Sequence, residues 1–217
     1  LFALYRCFRQ HRFDVVHSVT PKAGLLAMMA AWLARVPVRV HMFTGQVWAT
    51  KTGANRITLK TADRLIAFLA TLSLVDSPSQ RDFLLDEGVI KAERSEVLAD
   101  GSICGVDLQR FRPDAVARRS VREEYAIPES AVLLLSLGRL NKDKGIADLA
   151  ASFADLAQRL PDLWLLLVGP DEESMQSLVE SLCARCIDRV VRVGFTDKPE
   201  YFMAAADIFC LPSYREG

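Results

Sequence analysis

Continuous apolar runs alternate with helical patterns along the whole chain of 217 residues. The runs are short, as strands are, and most lack the polar and apolar alternation of a strand with one solvated face. We predict strands over residues 14–17, 38–43, 72–76, 96–99, 132–137, 164–168, 190–193 and 208–211. We predict helices over 22–35, 55–69, 120–125, 145–160, 172–183 and 198–206, and a further helix that begins at Ser77-Pro78. Such strands, separated by helices, form parallel sheets covered on both faces, so the predicted fold class is α/β.

A segment with glycine, proline and many charges, residues 101–131, separates two series of this kind. We interpret it as a linker followed by the entry into a second domain. The sequence therefore predicts two Rossmann-like domains, over residues 1–112 and 113–217, whose parallel sheets face a central cleft. Ligands of such sheets bind at the carboxyl ends of the strands.

The charge and hydropathy patterns indicate which kinds of partner the chain can bind. The chain has 27 basic and 27 acidic residues, but residues 1–112 have a net charge of +5 and residues 113–217 a net charge of −5. The basic half indicates contact with an anionic membrane surface, a phosphorylated acceptor, or simply scattered solvated charge. No basic patch interleaved with aromatic residues indicates nucleic-acid binding. No apolar run reaches the ~18 residues of a membrane-spanning helix.

The five cysteines are an odd number without a regular framework, which predicts a reduced, cytoplasmic protein. Cys183 and Cys186 have metal-like spacing, but no second Cys or His pair accompanies them. Both fall in a helical pattern. We therefore predict that they pack in the interior, and we expect no metal site.

The apolar run over 132–137 leads into a loop that carries two cations. Gly138-Arg139 ends the run, and Lys144-Gly145 opens the following helical pattern. A helix N-terminus presents unpaired N–H groups and the positive end of the helix dipole. With Arg139 and Lys144 at the same place, the loop suits a diphosphate; the alternative is a solvated loop with ordinary surface cations. The loop is neither a P-loop nor a Gly-x-Gly-x-x-Gly motif.

Several segments, taken in order, resemble the family 4 glycosyltransferases, the retaining GT-B enzymes that use nucleotide-sugar donors. The matching segments are 14–17, 20–24, 40–45, 73–79, 101–111, 138–145, 168–170, 193–195 and 206–217. They are collinear over nearly the whole chain. The resemblance implies a GT-B fold in which both domains are incomplete, because the chain starts after the family's first strand and stops inside a motif.

The resemblance implies a donor site in the second half of the chain. Arg139 and Lys144 match the family's cations that hold the donor diphosphate, and Gly138 and Gly169 belong to the matching loops. Fixed cations stabilise the charge that develops on the leaving diphosphate as the glycosidic bond breaks, and they do so without a metal.

Two further donor-side residues follow from the resemblance. Glu216 matches the first glutamate of the family's Glu-x7-Glu motif, which contacts the transferred sugar. The second glutamate, which grips the ribose, would lie beyond Gly217. Phe195, just after a predicted strand, either lies by the nucleobase or packs in the core.

The resemblance places the acceptor side in the first half. His41 matches a family histidine at the cleft, where a neutral imidazole accepts or donates one hydrogen bond at the reacting centre. A buried core histidine is the alternative. Thr44 and Gly45 allow close approach of the acceptor or form an ordinary turn. Thr20 and Lys22 stand at a helix start, where Lys22 meets an acceptor phosphate or is a surface lysine.

The implied activity is transfer of a sugar from a nucleotide-diphosphate sugar, with a UDP-sugar expected, to a glycan or polyprenyl-diphosphate-linked acceptor. Such enzymes build surface polysaccharide or glycoconjugates at the cytoplasmic face of the membrane, with peripheral membrane contact and without metal or other cofactor. Two alternatives stay open. One is a GT-B nucleotide-sugar 2-epimerase, which the 138–145 loop and the Glu216-Gly217 pair fit poorly. The other is a non-catalytic piece that only binds a nucleotide sugar.

Overall fold

The computed structural model describes residues 1–102 and 105–214, and their contacts divide the chain into two compact units. The first unit spans Leu1–Gly105 and the second Val106–Tyr214. Residues 106–112 fall in the second unit, where Arg110 forms an ion pair with Glu200 at 2.8 Å. The domain extents predicted above, 1–112 and 113–217, stay a prediction.

The first unit is a four-stranded parallel sheet with helical crossovers. Its elements are α1 (Phe2–His11), β1 (Val15–Ser18), α2 (Pro21–Leu33), β2 (Val38–Phe43), α3 (Gly53–Leu69), β3 (Leu72–Val75), α4 (Pro78–Asp86) and β4 (Ser95–Val97). The strands lie in the order β1-β2-β3-β4, and every neighbouring pair is parallel.

One apolar core joins the helices of the first unit to its sheet. Met28 of α2, Ile66 of α3 and Leu84 of α4 are fully buried in the same cluster as Phe43 and Val75 of the sheet. Burying a side chain of this size contributes about 1.5–3 kcal/mol. The helices are therefore held by packing.

The second unit repeats this plan. Its elements are α5 (Ala115–Glu124), β5 (Val132–Leu137), α6 (Ile146–Ala157), β6 (Leu163–Val168), α7 (Met175–Leu182), β7 (Val190–Val193), α8 (Pro199–Ala205) and β8 (Ile208–Phe209). All pairs in the order β7-β6-β5-β8 are parallel.

Two separate cores cover the two faces of the second sheet. Phe153 of α6 and Leu165 of β6 belong to one, and Leu133 of β5 and Phe202 of α8 belong to the other. Central strands that are buried on both faces explain the unbroken apolar runs of the sequence. The predicted α/β class, with two parallel sheets, is confirmed.

Some element boundaries differ from the sequence prediction. The helix α1 was not predicted, and β8 is shorter than residues 208–211. The helix predicted over 145–160 ends at Ala157. The helix predicted from residue 172 begins at Met175, after Ser174 in the left-handed conformation, and the Asp171 carboxylate accepts the backbone N–H groups of Met175 and Gln176 at its start.

The helix predicted over 120–125 begins earlier, at Ala115, because Asp114 caps it by accepting the N–H groups of Val116 and Ala117, each at 2.9 Å. Arg122 holds this helix to the sheet. Its guanidinium is only 2% exposed and bonds the Asp207 carboxylate at 2.8 Å. It also donates to four backbone carbonyl groups, so this buried charge is fully paired.

None of the helices within residues 1–102 and 105–214 has both the length and the apolar character needed to cross a bilayer. Cys183 and Cys186 are buried in the core of the second unit, as predicted, and the Cys183 thiol lies 3.5 Å from the carbonyl oxygen of Ala150.

Candidate functional site

The loop over 138–145 lies at the carboxyl edge of the second sheet, directly after β5. Two glycines allow this loop and the end of β6 to approach each other. Gly138 has φ +150° and donates its N–H to the Val168 carbonyl at 2.8 Å, and Gly169 has φ +141°. A Cβ on Gly169 would stand 1.9 Å from the Gly138 carbonyl oxygen, so no larger residue fits without moving the backbone.

Two contacts fix the course of the loop. Leu140 is buried and donates its backbone N–H to the Pro170 carbonyl at 2.8 Å. Asn141 caps a short 3₁₀ turn by accepting the Lys144 N–H through its side-chain oxygen at 3.1 Å. Gly145 follows with φ +68°, and α6 starts at the next residue. The predicted order of strand, loop and helix is confirmed, with the 3₁₀ turn inserted before the helix.

The cations of the loop face an acidic segment. The Nη1 atom of Arg139 lies 3.2 Å from the Oε2 atom of Glu172, and the Nδ2 atom of Asn141 lies 3.3 Å from the same oxygen. The Arg139 side chain is 59% exposed, and Lys144 is half-buried at the end of the 3₁₀ turn. The loop therefore presents N–H donors that already hold an anionic oxygen.

Phe195 lies on the surface, two residues after the end of β7. It is 80% exposed, so the core alternative for this residue is wrong. Because parallel strands end at the same edge of their sheet, Phe195 belongs to the same edge as the 138–145 loop. Its contact with a nucleobase stays a prediction.

The chain segment that precedes Glu216 passes along the cation loop. The backbone N–H of Tyr214 donates to the Asp143 carbonyl at 2.9 Å, and the Tyr214 hydroxyl bonds the Asp148 carboxylate. The Pro212 carbonyl oxygen lies so close to Gly145 that a Cβ there would stand 2.1 Å away. Glu216 itself lies outside the described residues.

In the first unit, His41 of β2 is buried, with 1% of its surface exposed. Its Nδ1 atom lies 2.8 Å from the Ser18 hydroxyl oxygen, and its ring meets the Phe43 ring edge-on at 4.6 Å. Burial lowers the pKa of His41 to about 4, with a smaller contribution from His17, so its imidazole is neutral at pH 7. Gly24 leaves room for the ring, since a Cβ there would stand 2.3 Å from the His41 Cε1 atom.

A buried polar network follows the ends of β2 and β3, and its place after two strands is the only sign of it in the sequence. The Gln46 amide donates to the Thr44 carbonyl and accepts from the Gln80 amide at 3.2 Å. The Gln80 side-chain oxygen accepts the Asp76 N–H at 3.2 Å, and the Asp76 carbonyl accepts the Ser102 N–H at 2.5 Å. This network fixes the backbone around Thr44 and Gly45, the two predicted acceptor-side residues.

Thr20 and Lys22, at the start of α2, border an apolar cavity of about 460 Å³. At the wall of this cavity, the indole N–H of Trp48 donates to the Asp63 carboxylate at 2.7 Å, so both groups have a hydrogen-bond partner. The cavity is lined by Thr20, Pro21, Lys22, Leu25, Val47, Trp48, Leu59, Ala62 and Asp63. Its lining suits an apolar group, with the Lys22 cation at the border.

The basic residues of α3 are engaged by one acidic turn. Arg56 and Lys60 both form ion pairs with Glu87, and Arg64 donates to the backbone carbonyl groups of Glu87 and Gly88. The Lys60 and Arg56 contacts lower the pKa of Glu87. These three cations therefore all have hydrogen-bond or ion-pair partners within the first unit.

Both halves of the chain match known families. Residues 1–101 match the family model described as "Glycosyl transferase 4-like domain", and residues 117–217 match "Glycosyl transferases group 1". The two models leave out only residues 102–116. The chain belongs to the glycosyltransferases.

The relatives of this glycosyltransferase chain include two bacterial glycosyltransferases. It is 27% identical over 220 residues to the capsular polysaccharide biosynthesis glycosyltransferase CapM of Staphylococcus aureus. It is 25% identical over 223 residues to the UDP-Gal:alpha-D-GlcNAc-diphosphoundecaprenol alpha-1,3-galactosyltransferase of Escherichia coli. Both alignments include 100% of the chain, which spans 57% and 56% of the two relatives.

A solved structure shares the fold of this glycosyltransferase chain. The crystal structure of Anabaena HepE in complex with UDP-glucose superposes with a TM-score of 0.75 at 20% sequence identity. The match covers 98% of this chain and 56% of the HepE chain. Together with the two parallel sheets, it confirms the predicted GT-B fold.

No group of three or more His, Cys, Asp or Glu side chains is placed to hold a metal ion within residues 1–102 and 105–214 of this glycosyltransferase chain. Among the described site residues, the structure brings Arg139, Gly138, Lys144 and Gly169 together at one sheet edge. Asn141 and Glu172 join them there, and sequence reasoning missed both.

Proposed function

We propose that this chain belongs to a retaining family 4 glycosyltransferase that moves a sugar from a UDP-sugar to a glycan or polyprenyl-diphosphate-linked acceptor. The product would be surface polysaccharide or a related glycoconjugate. The observation that carries the donor assignment is the loop after β5, in which Arg139 and Asn141 already bind an anionic oxygen at 3.2 and 3.3 Å.

The diphosphate chemistry follows from the charges of this loop. As the glycosidic bond of the donor breaks, negative charge accumulates on the leaving diphosphate. Arg139 and Lys144 stabilise that charge from fixed positions, and preorganised charges of this kind contribute most where the charge develops. The proposed chemistry needs no metal or other cofactor, and Glu216 would contact the transferred sugar.

A uridine nucleotide is supported by two comparisons and one residue. HepE binds UDP-glucose, and the Escherichia coli relative is named for a UDP-Gal donor. Phe195 offers an exposed aromatic ring at the same edge as the cation loop, and a nucleobase stacks favourably on such a ring.

A lipid-linked acceptor is supported by the first unit. The apolar cavity beside Lys22 suits the first part of a prenyl chain, and Lys22 supplies a cation for the diphosphate that follows it. The Escherichia coli relative is named for an acceptor of this kind, a diphosphoundecaprenol. An acceptor of this type places the reaction at the cytoplasmic face of the membrane.

The donor assignment is tested by binding of UDP to the chain and to Arg139→Ala, measured by calorimetry. Loss of a charge-assisted contact to phosphate predicts affinity roughly 10 to 100-fold weaker. Arg159→Ala is the matched control, because Arg159 is a 69% exposed cation of the same unit that pairs with Asp155. Equal UDP affinity in the chain and Arg139→Ala would contradict the assignment.

The acceptor assignment is tested with farnesyl diphosphate. Lys22→Ala removes the cation, and Leu59→Gln makes the cavity wall polar; both should weaken binding several-fold. Leu26→Gln is the control, because Leu26 is a 42% exposed leucine of α2 that does not line the cavity. Unchanged binding in Lys22→Ala and Leu59→Gln together would refute a prenyl-diphosphate acceptor at this place.

Product analysis separates transfer from the alternatives. A transferase forms a glycosylated product only when an acceptor is supplied, whereas a 2-epimerase forms a new nucleotide sugar without one. An epimer formed in the absence of acceptor would overturn the proposed function.

A further inference from the structure

Glu172 fills the place that an anionic ligand of the cation loop would take. One of its carboxylate oxygens, Oε2, accepts hydrogen bonds from Arg139 Nη1 at 3.2 Å and from Asn141 Nδ2 at 3.3 Å. A carboxylate oxygen and a phosphate oxygen accept the same N–H bonds from a guanidinium group. The donors of Arg139 and Asn141 therefore form an anion cradle that the chain itself occupies.

The backbone holds Glu172 at this cradle. Leu140 and Asp171 form a parallel bridge between the cation loop and the segment after β6, and the Glu172 N–H donates to the Leu140 carbonyl at 3.2 Å. The Asp171 carboxylate caps α7 through the N–H of Met175 at 2.8 Å, which anchors the segment from its other side. The Glu172 side chain thus starts from a fixed point beside Arg139.

We propose that Glu172 occupies the diphosphate position of the loop when no donor is bound and leaves it when a nucleoside diphosphate binds. The Asn141 amide then donates to the diphosphate beside Arg139 and Lys144. Glu172 in this way lowers the affinity only of ligands whose phosphates reach the cradle, because only these have to displace it. This inference rests on the proposed donor site.

The expected effect of removing the Glu172 charge is moderate. The side chains of Arg139 and Glu172 are 59% and 42% exposed, and an ion pair this exposed is weak. Glu172→Gln should therefore tighten UDP binding by about 3 to 5-fold. Binding of uridine, which has no phosphate to place in the cradle, should stay unchanged.

Glu173→Gln is the matched control. It removes the same charge one residue along the chain, but the Glu173 Oε2 atom accepts the backbone N–H of Lys142 at 3.0 Å and makes no contact with Arg139. A general gain from reduced negative charge would tighten UDP binding in both variants, whereas displacement of Glu172 predicts the gain in Glu172→Gln only.

Asn141→Ser tests the amide. Serine still caps the 3₁₀ turn, as the Asn141 side-chain oxygen does for the Lys144 N–H, but it lacks the amide that reaches Glu172. We expect roughly 3 to 10-fold weaker UDP binding. Thermal unfolding of each variant confirms that the second unit stays folded.

The displacement of Glu172 is tested by measuring UDP affinity calorimetrically for the chain and these three variants at one fixed salt concentration. Tighter binding by Glu172→Gln alone, with uridine unchanged, supports the inference. If UDP binding depends on Arg139 but Glu172→Gln is no tighter than the chain, or Glu173→Gln gains equally, the inference fails and the donor site stands. If neither the chain nor Glu172→Gln binds UDP, the proposed function and this inference fall together.

Discussion

Acid should destabilise the first unit through His41, and the size of the effect follows from its burial. The folded-state pKa of His41 is about 4, whereas an unfolded histidine titrates near 6.5. The folded pKa is the lower one, so the unfolded chain binds the proton more readily, and the first unit loses stability as the pH falls from about 6.5 towards 4. Between pH 7 and pH 5 the loss is about 2 kcal/mol.

The assay is urea unfolding at pH 7 and pH 5 in a Trp164→Phe background, where fluorescence comes from Trp32 and Trp48 of the first unit. The quantity of interest is the difference in unfolding free energy between the two pH values. His41→Gln should reduce this difference by about 2 kcal/mol, whatever its own effect on stability. His11→Gln, at an exposed position of α1, should leave the difference as it is.

The reasoning would be refuted if the chain and His41→Gln lost the same free energy of unfolding between pH 7 and pH 5. That result would mean that the imidazole is hydrated or paired with a group that tolerates its charge. It would also remove the basis for a neutral imidazole at the acceptor side.

Two further predictions concern the second unit. Gly169→Ala should lower its unfolding free energy by about 2–4 kcal/mol, because the new Cβ would stand 1.9 Å from a carbonyl oxygen at φ +141°; urea unfolding checks this, and Gly194→Ala, with open space around it, should have little effect. Arg122→Ala should cost about 3–5 kcal/mol, because it removes a fully buried side chain and leaves the carbonyl groups of Pro128, Glu129 and Ala131 without this donor, whereas Asp207 keeps Arg118 at 3.0 Å. A shift of the urea midpoint equivalent to less than 1 kcal/mol in Arg122→Ala would contradict this account.

Much of the fold could be predicted because each strand of a buried parallel sheet corresponds to a short apolar run in the sequence. The bounds of β2, β5 and β7 agree with the sequence prediction, since each run ends where a polar or glycine residue follows. The helices were harder to predict than the strands. The helix α1 has no side-chain cap at its start, so the sequence carries no start signal for it.

The site could be predicted only where it is local in sequence. Arg139 and Lys144 follow a strand, and their place at the sheet edge is a consequence of that order. Glu172 lies 33 residues from Arg139, and its contact depends on the bridge between Leu140 and Asp171, which no periodicity reveals. The bond between Gln46 and Gln80, which are 34 residues apart, escaped prediction for the same reason.

The central claim is that the loop after β5 holds the diphosphate of a nucleotide-sugar donor. A crystal structure of the chain with UDP tests it most directly. We predict phosphate oxygens within about 3 Å of the Arg139 guanidinium and the Asn141 amide, with the Glu172 carboxylate displaced from both. UDP bound elsewhere on the chain, with the Arg139–Glu172 contact intact, would contradict the claim.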